Sequence, residues 1–238
     1  MHAPEPSRRR TVELDPLIGR DADIERVEYA LARTRLVTIT GPGGTGKTRL
    51  ASVIVERFRQ AGEEAWFIDL TTVPGPELVA AAIVSALGLR GASLEPEDIV
   101  TGAFRDRAVL LALDNVEQIP VVGPLVDGWL RELPGLRLLL TSRIPVRVGG
   151  EIEVHLETLG VPEADDQGSV EAAPASALFL RRARSIGRLD ALDPEAARAV
   201  AALVRRLDGL PLALELAAAR TRIMSPAEIL ARFEREGP

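Results

Sequence analysis

Leu36-Val-Thr-Ile-Thr-Gly-Pro-Gly-Gly-Thr-Gly-Lys-Thr48 is the stretch on which the reading of this 238-residue chain turns. Its first five residues are apolar or β-branched and short in extent, the pattern of a strand buried on both faces. Its last eight, Gly41 to Thr48, fit G-x-x-x-x-G-K-[ST]. Beyond them Leu50, Val53, Ile54 and Phe58 recur at helical spacing. A glycine-rich loop between a strand and a helix is the context that identifies a phosphate-binding loop.

Each residue type in the loop has a chemical reason. Glycines let backbone N–H groups converge on phosphate oxygens where a Cβ would obstruct, and the helix N-terminus adds partial positive charge. Lys47 supplies a full charge for β- and γ-phosphates, and the Thr48 hydroxyl is placed to coordinate Mg²⁺. The nucleotide-binding candidates here are Gly41, Gly43, Gly44, Thr45, Gly46, Lys47, Thr48 and Arg49. Of the chain's 29 basic residues only Lys47 is a lysine, and it falls on the motif's lysine position. Gly41, Gly43 and Gly46 also satisfy G-x-G-x-x-G, with Asp69 about where a dinucleotide fold places its ribose-binding acid. That rival leaves Lys47-Thr48 without a purpose, so the fuller pattern is preferred. Asp69 stays open as a contact for ribose or water.

Working outward, four more strands are expected at Ala65–Asp69, Val109–Leu113, Arg137–Thr141 and Glu151–His155, with helices near 76–88, 97–106 and 117–132. Alternation of apolar strands with helices predicts an α/β fold with a parallel sheet covered on both faces. An earlier helix from Asp21 carries Ile24, Val27, Ala30 and Leu31 on one side. Residues 1–13, with the Arg8–Arg10 triplet, read as a flexible arm, and 14–158 as the nucleotide-binding core. Residues 159–174, with prolines, glycines and four acids, read as an exposed linker. From 175 to 238 everything reads helical, with Asp193-Pro194 as an N-cap, Pro211 opening a helix over 212–224, and Ser225-Pro-Ala-Glu228 as a capping box.

Val109-Leu-Leu-Ala-Leu-Asp114 is an apolar strand ending in a carboxylate, the form of a Walker B element whose acid holds Mg²⁺. Such an acid is often only a helix cap, but beside the phosphate loop metal binding is favoured, which makes Thr48 and Asp114 the candidate metal ligands. Many hydrolytic relatives carry a glutamate directly after that aspartate; here the place holds Asn115, which cannot accept a proton as a carboxylate can. Glu117 is near in sequence, yet its side chain could point away. Slow hydrolysis is expected, and the asparagine favours a switch over a motor. Arg143, after the fourth strand, could sense a γ-phosphate or pair with a surface acid, and its place at the sheet edge favours sensing. Lys47, Asp114 and Arg143 are the candidate catalytic groups, while Trp66, Trp129 and His155 read as packing residues.

Composition removes other classes. Thirty-five acids against 29 bases give a net charge of −6, which lacks the footprint of non-specific DNA binding. Zero cysteines and two histidines exclude thiol chemistry and make a histidine-based metal site a poor fit. No stretch approaches a membrane span or a secretory h-region, so a soluble cytoplasmic protein is expected. A GTPase is disfavoured because N-K-x-D needs a lysine outside the phosphate loop.

Five elements occur in one order: Leu17-Ile-Gly-Arg-Asp21, the phosphate loop, Leu-Ala-Leu-Asp-Asn-Val-Glu117, Leu-Thr-Ser-Arg143 and Gly209-Leu-Pro-Leu-Ala213. As a set, over about residues 15–225, they resemble the nucleotide-binding module of STAND ATPases of the NB-ARC type, especially bacterial transcriptional regulators related to the SARP activators. The resemblance implies an ASCE P-loop NTPase core with strand order 5-1-4-3-2, followed by a small all-helical lid, the ARC subdomain. It implies an ADP/ATP-Mg switch, with Ile18, Gly19 and Arg20 bordering adenine or ribose and Pro211 closing over the base. It also implies winged-helix and sensor domains beyond this sequence, which looks like a fragment of a longer chain, with DNA reached only through those domains and ATP-dependent self-association as a possible output. An AAA-type motor with fast turnover is the alternative, and a dinucleotide-dependent oxidoreductase a more distant one.

Overall fold

A computed structural model describes residues 16–90, 94–186 and 192–236. The arm expected over residues 1–13, with its arginine triplet, lies outside the described residues. Contacts divide the chain into two units, one holding Asp23–Gly41 and Lys47–His155, the other Leu17–Ala22, Pro42–Gly46 and the chain from Leu156 onward.

The first unit is an α/β layer structure. Its elements run α1 (Asp21–Leu31), β1 (Leu36–Thr40), α2 (Lys47–Gln60), β2 (Glu64–Asp69), α3 (Val79–Leu87), α4 (Pro96–Phe104), β3 (Val109–Asp114), α5 (Gly123–Glu132), β4 (Leu136–Thr141) and β5 (Glu151–His155). The strands form one sheet in the order β2-β3-β4-β1-β5, and every pairing is parallel. Read from the other edge this is the expected 5-1-4-3-2. All residues of β1 and β3 are buried, as a central strand covered on both faces requires.

Because side chains alternate along a strand, the two faces have separate cores. Leu111, Leu113, Leu138 and Leu140 share a cluster with Ile83 of α3, Phe104 of α4, and Val126 and Trp129 of α5. The alternate positions Ile39, Leu110 and Leu139 are equally buried, and α2, with Leu50 and Ile54 inward, packs on the sheet. Parallel pairing brings all strand carboxyl ends to one edge; Asp69 and Asp114 are direct register partners there. Two helices are shorter than their periodicity predicts. Residues 76–78 and 116–118 are single 3₁₀ turns, and the chain becomes α-helical only at Val79 and Gly123. His155, expected to pack, is exposed at the end of β5, its Nδ1 lying 3.2 Å from the Thr40 hydroxyl.

The second unit is helical after Leu156, with α6 (Gln167–Ala172), α7 (Pro174–Ser185), α8 (Pro194–Arg206), α9 (Pro211–Arg220) and α10 (Pro226–Glu236). Four of these begin with proline, whose missing N–H is one of the donors a helix start leaves unused. Asp193 Oδ1 accepts from the Glu195 and Ala196 amides, and Ser225 and Glu228 exchange the reciprocal bonds of a capping box. Helix α9 ends at Arg220, short of Met224, in a turn closed by the Ile223 and Met224 amides donating to the Arg220 carbonyl.

The stretch 159–174 departs from the exposed linker its composition suggested. Asp166 caps α6 by accepting from the Ser169 amide, and Val170 and Leu159 enter the core with Phe179, Val200, Val204, Leu214 and Ala218. Its four acids are exposed, while Leu159, Val170 and Ala173 are buried. Among the described residues no helix is long and apolar enough to cross a membrane.

Candidate nucleotide site

In the first unit the site is built on the carboxyl ends of β1, β3 and β4. Gly41 leaves β1 at φ +144. Lys47 opens α2, 9% exposed, and its ammonium donates to the Gly41 carbonyl at 2.8 Å. Burial lowers the Lys47 pKa, opposed by the negative charge of Glu117, abetted by Arg143 and opposed more weakly by Asp114. The Thr48 hydroxyl donates to Asp114 Oδ2 at 2.9 Å.

Asp114, 2% exposed at the end of β3, has its pKa raised by burial even though hydrogen bonds from Thr141 and Thr48 pull it down. Thr141 at the end of β4 donates to Asp114 Oδ1 while accepting from the Asn115 backbone N–H at 3.0 Å, which fixes the direction of its proton. Asn115 sits in the left-handed region at φ 64, where asparagine is tolerated better than most residues. Its side-chain amide donates to Asp114 Oδ2 at 3.1 Å and to the Thr71 hydroxyl at 2.8 Å. Asp69 in turn accepts from the Thr71 amide and hydroxyl, which lower its pKa.

Arg143, its side chain 71% exposed, has its Nε 3.4 Å from Glu117 Oε1. Glu117 was the residue that sequence spacing left undecided. The left-handed turn at Asn115 brings it back toward β4 and within electrostatic reach of Lys47 and Asp114. The sequence reading took Thr141 only as part of the Leu-Thr-Ser-Arg143 element, because a threonine ending a strand does not by itself name its partner.

The remaining candidates lie in the second unit. Gly44 and Gly46 adopt φ +82 and +97, conformations that disfavour any side chain. A Cβ on Gly44 would stand 2.9 Å from Leu212 Cβ, and the Leu212 amide donates to the Gly44 carbonyl, so the start of α9 rests on the loop segment. A Cβ on Gly46 would meet nothing within 4 Å. Gly43 is exposed, and the Thr45 hydroxyl donates to the Pro42 carbonyl. Arg20 is buried and donates to the carbonyls of Thr45 and Glu157 at 2.9 and 2.8 Å. Gly19 allows Pro174 close approach, since a Cβ there would lie 2.4 Å from the proline's own. Ile18 and Pro211 are half-buried, the latter as the first residue of α9; Arg49, in the first unit, is half-buried in the first turn of α2.

A parallel sheet in this order, a glycine loop between β1 and α2, and a hydroxyl joined to a strand-end carboxylate define the P-loop NTPase fold. Residues 31–155, more than half of the chain, match the AAA domain family, and the chain belongs to that family. An uncharacterised protein of Mycobacterium tuberculosis is 37% identical over 221 residues, 92% of this chain and 54% of that one. A second protein of that organism, whose name proposes an HTH-type transcriptional regulator, is 36% identical over 201 residues, 84% of this chain and 22% of its own length. The chain thus spans about half or less of the curated relatives it matches. Among solved structures, the Walker-type ATPase of Pyrococcus abyssi superposes with a TM-score of 0.59 at 19% identity, covering 96% of this chain and 73% of that one, a likeness of fold.

Proposed function

We propose that the chain is the adenine-nucleotide module of a STAND-class regulator of the NB-ARC type, a switch set by ADP or Mg-ATP that hydrolyses ATP slowly. The observation that carries this reading is the Lys47, Thr48 and Asp114 set, a buried ammonium beside a hydroxyl and carboxylate held 2.9 Å apart. The donors fit the group: hard oxygens suit Mg²⁺, and the open space beside Gly46 is what a phosphate tail needs. Thr48 and Asp114 would hold the metal, which supplies charge neutralisation at the phosphates. Lys47 would turn from the Gly41 carbonyl toward phosphate oxygens, and Arg143 from Glu117 toward a γ-phosphate.

The regulator relative supports a signalling role, and its much greater length supports output through domains that lie beyond this chain. Residues 175–238 serve in this reading as the helical lid, with Ile18, Gly19, Arg20 and Pro211 bordering the base and ribose. Magnitudes constrain the switch. Reversing a 1:99 population takes about 5.5 kcal/mol of differential binding. One charge-assisted hydrogen bond contributes about 1.5–3 kcal/mol. Arg143 therefore acts with at least one further γ-phosphate contact.

Denaturing the purified chain and identifying the released nucleotide tests the reading. ADP is expected. A site that is empty and binds ADP and ATP with equal affinity overturns the switch, because equal affinities shift no equilibrium.

A further inference from the structure

We propose that Glu117, three residues beyond Asp114, is the carboxylate that accepts the proton of the attacking water; this rests on reading the site as an ATPase. Asn115 occupies the place directly after Asp114, and both hydrogens of its amide are directed at Thr71 and Asp114, so it has neither the basicity nor the free geometry for the task. The same residue, through its left-handed backbone, turns the chain into the 3₁₀ turn Val116–Gln118 that carries Glu117 back to the sheet edge.

Glu117 is held on one side only. Its Oε1 faces Arg143 Nε at 3.4 Å, while Oε2 is buried without a hydrogen-bond partner. Among the described residues the buried side-chain oxygens lacking a partner belong to Thr38, Glu117 and Ser176, and only Glu117 is ionisable. A buried carboxylate oxygen with no donor is costly, and a structural ion pair gains nothing from it. Once the Arg143 guanidinium turns away from Oε1, a water molecule donating to the carboxylate at Oε2 would satisfy it. The negative charge of Glu117 also opposes the lowering of the Lys47 pKa, ahead of that of Asp114. It lines a groove of about 840 Å³ whose exposed rim includes Val121 and Ile144, a route by which the proton can reach solvent.

The water oxygen forms a bond to the γ-phosphorus, one water proton passes to Glu117 Oε2, and the bond from that phosphorus to the β–γ bridging oxygen breaks with its electron pair leaving on ADP. Glu117 then releases the proton to solvent. Arg143 steadies Oε1 in this scheme until a γ-phosphate competes for its guanidinium.

The test compares wild type with Glu117→Gln, an isosteric change, by calorimetric binding of Mg-ATP and by acid quench of a single turnover followed by chromatography of the retained nucleotide. The variant is expected to bind Mg-ATP within about threefold of wild type yet to hold it as ATP, with cleavage slowed at least ~100-fold. Cleavage at the wild-type rate overturns the assignment, as does a tenfold loss of binding, which would make Glu117 a binding group. A wild-type chain that binds ATP and never cleaves it also overturns the assignment while leaving the nucleotide site standing. A wild-type chain that binds no ATP instead overturns the site reading itself. If melting shows the glutamine variant unfolded, Glu117→Asp is the test: it should bind normally and cleave more slowly, and unchanged cleavage overturns the proposal.

Discussion

The Thr48 hydroxyl donates to Asp114 Oδ2 at 2.9 Å, joining the first turn of α2 to the end of β3 across 66 positions of sequence. Asp114 is buried and its pKa is raised, so its charge is costly until a cation arrives. Thr48→Val removes one donor and, on the proposed function, one metal ligand together. The expected outcome is loss of the Mg²⁺ dependence of nucleotide affinity, about tenfold or more, with binding in EDTA little changed. Calorimetry of ATP with Mg²⁺ and with EDTA checks this, and an undiminished Mg²⁺ effect would place the metal elsewhere.

The two loop glycines separate stability from binding. Gly44 and Gly46 both carry positive φ, so alanine at either costs on the order of 1–2 kcal/mol in conformation alone. At Gly44 the new Cβ also meets Leu212 Cβ at 2.9 Å, whereas at Gly46 it enters open space. Gly44→Ala is therefore expected to lower the urea midpoint more than Gly46→Ala, while Gly46→Ala sacrifices nucleotide affinity with the smaller stability loss. Equal midpoints would show that Leu212 yields without cost.

The sheet and its loop were legible because their signals are local. Five apolar runs, each ending near an Asp, Thr or Gly, gave the strands to within a residue, and a central strand such as Val109–Asp114 has little freedom to be anything else. The candidate acid and hydroxyl, Asp114 and Thr48, were picked out for the same reason, and they lie within a hydrogen bond of each other. What stayed hidden was set by single backbone angles and by neighbours distant in sequence. Nothing in the letters Asn-Val-Glu says that Asn115 turns left-handed and returns Glu117 to the sheet edge. Nothing marks Thr141 as the partner that both donates to Asp114 and accepts from Asn115. Composition misled over 159–174, because four acids with prolines and glycines outweigh scattered apolar residues in a linear reading, although Leu159, Val170 and Ala173 are buried.

Asp69 supplies a dependence on pH with a definite sign. Its pKa is lowered below the ordinary 3.8 by the Thr71 hydroxyl and amide, so its stabilising contribution is complete above 3.8 and is lost as pH falls through the lowered value. Asp69→Asn removes that contribution. Urea midpoints of wild type and variant should differ by a constant amount above about pH 5 and converge on further acidification. The effect is small because Asp69 is exposed. A gap that widens toward acid pH would reverse the sign and refute the bonding assigned to Thr71.

Asn115→Glu supplies a glutamate at the place where many hydrolytic relatives carry one, and the geometry says that it will fail. The residue stands at φ 64, where a glutamate lacks the local tolerance of asparagine and costs about 1–3 kcal/mol. Its carboxylate would replace the amide that donates to Asp114 Oδ2 at 3.1 Å, setting like charges together and driving the Asp114 pKa higher still. The expected variant is less stable in urea by that amount, binds Mg-ATP more weakly, and cleaves it no faster than wild type. A tenfold gain in single-turnover cleavage would instead mean that Asn115 is the brake on this site and that Glu117 serves only to hold Arg143.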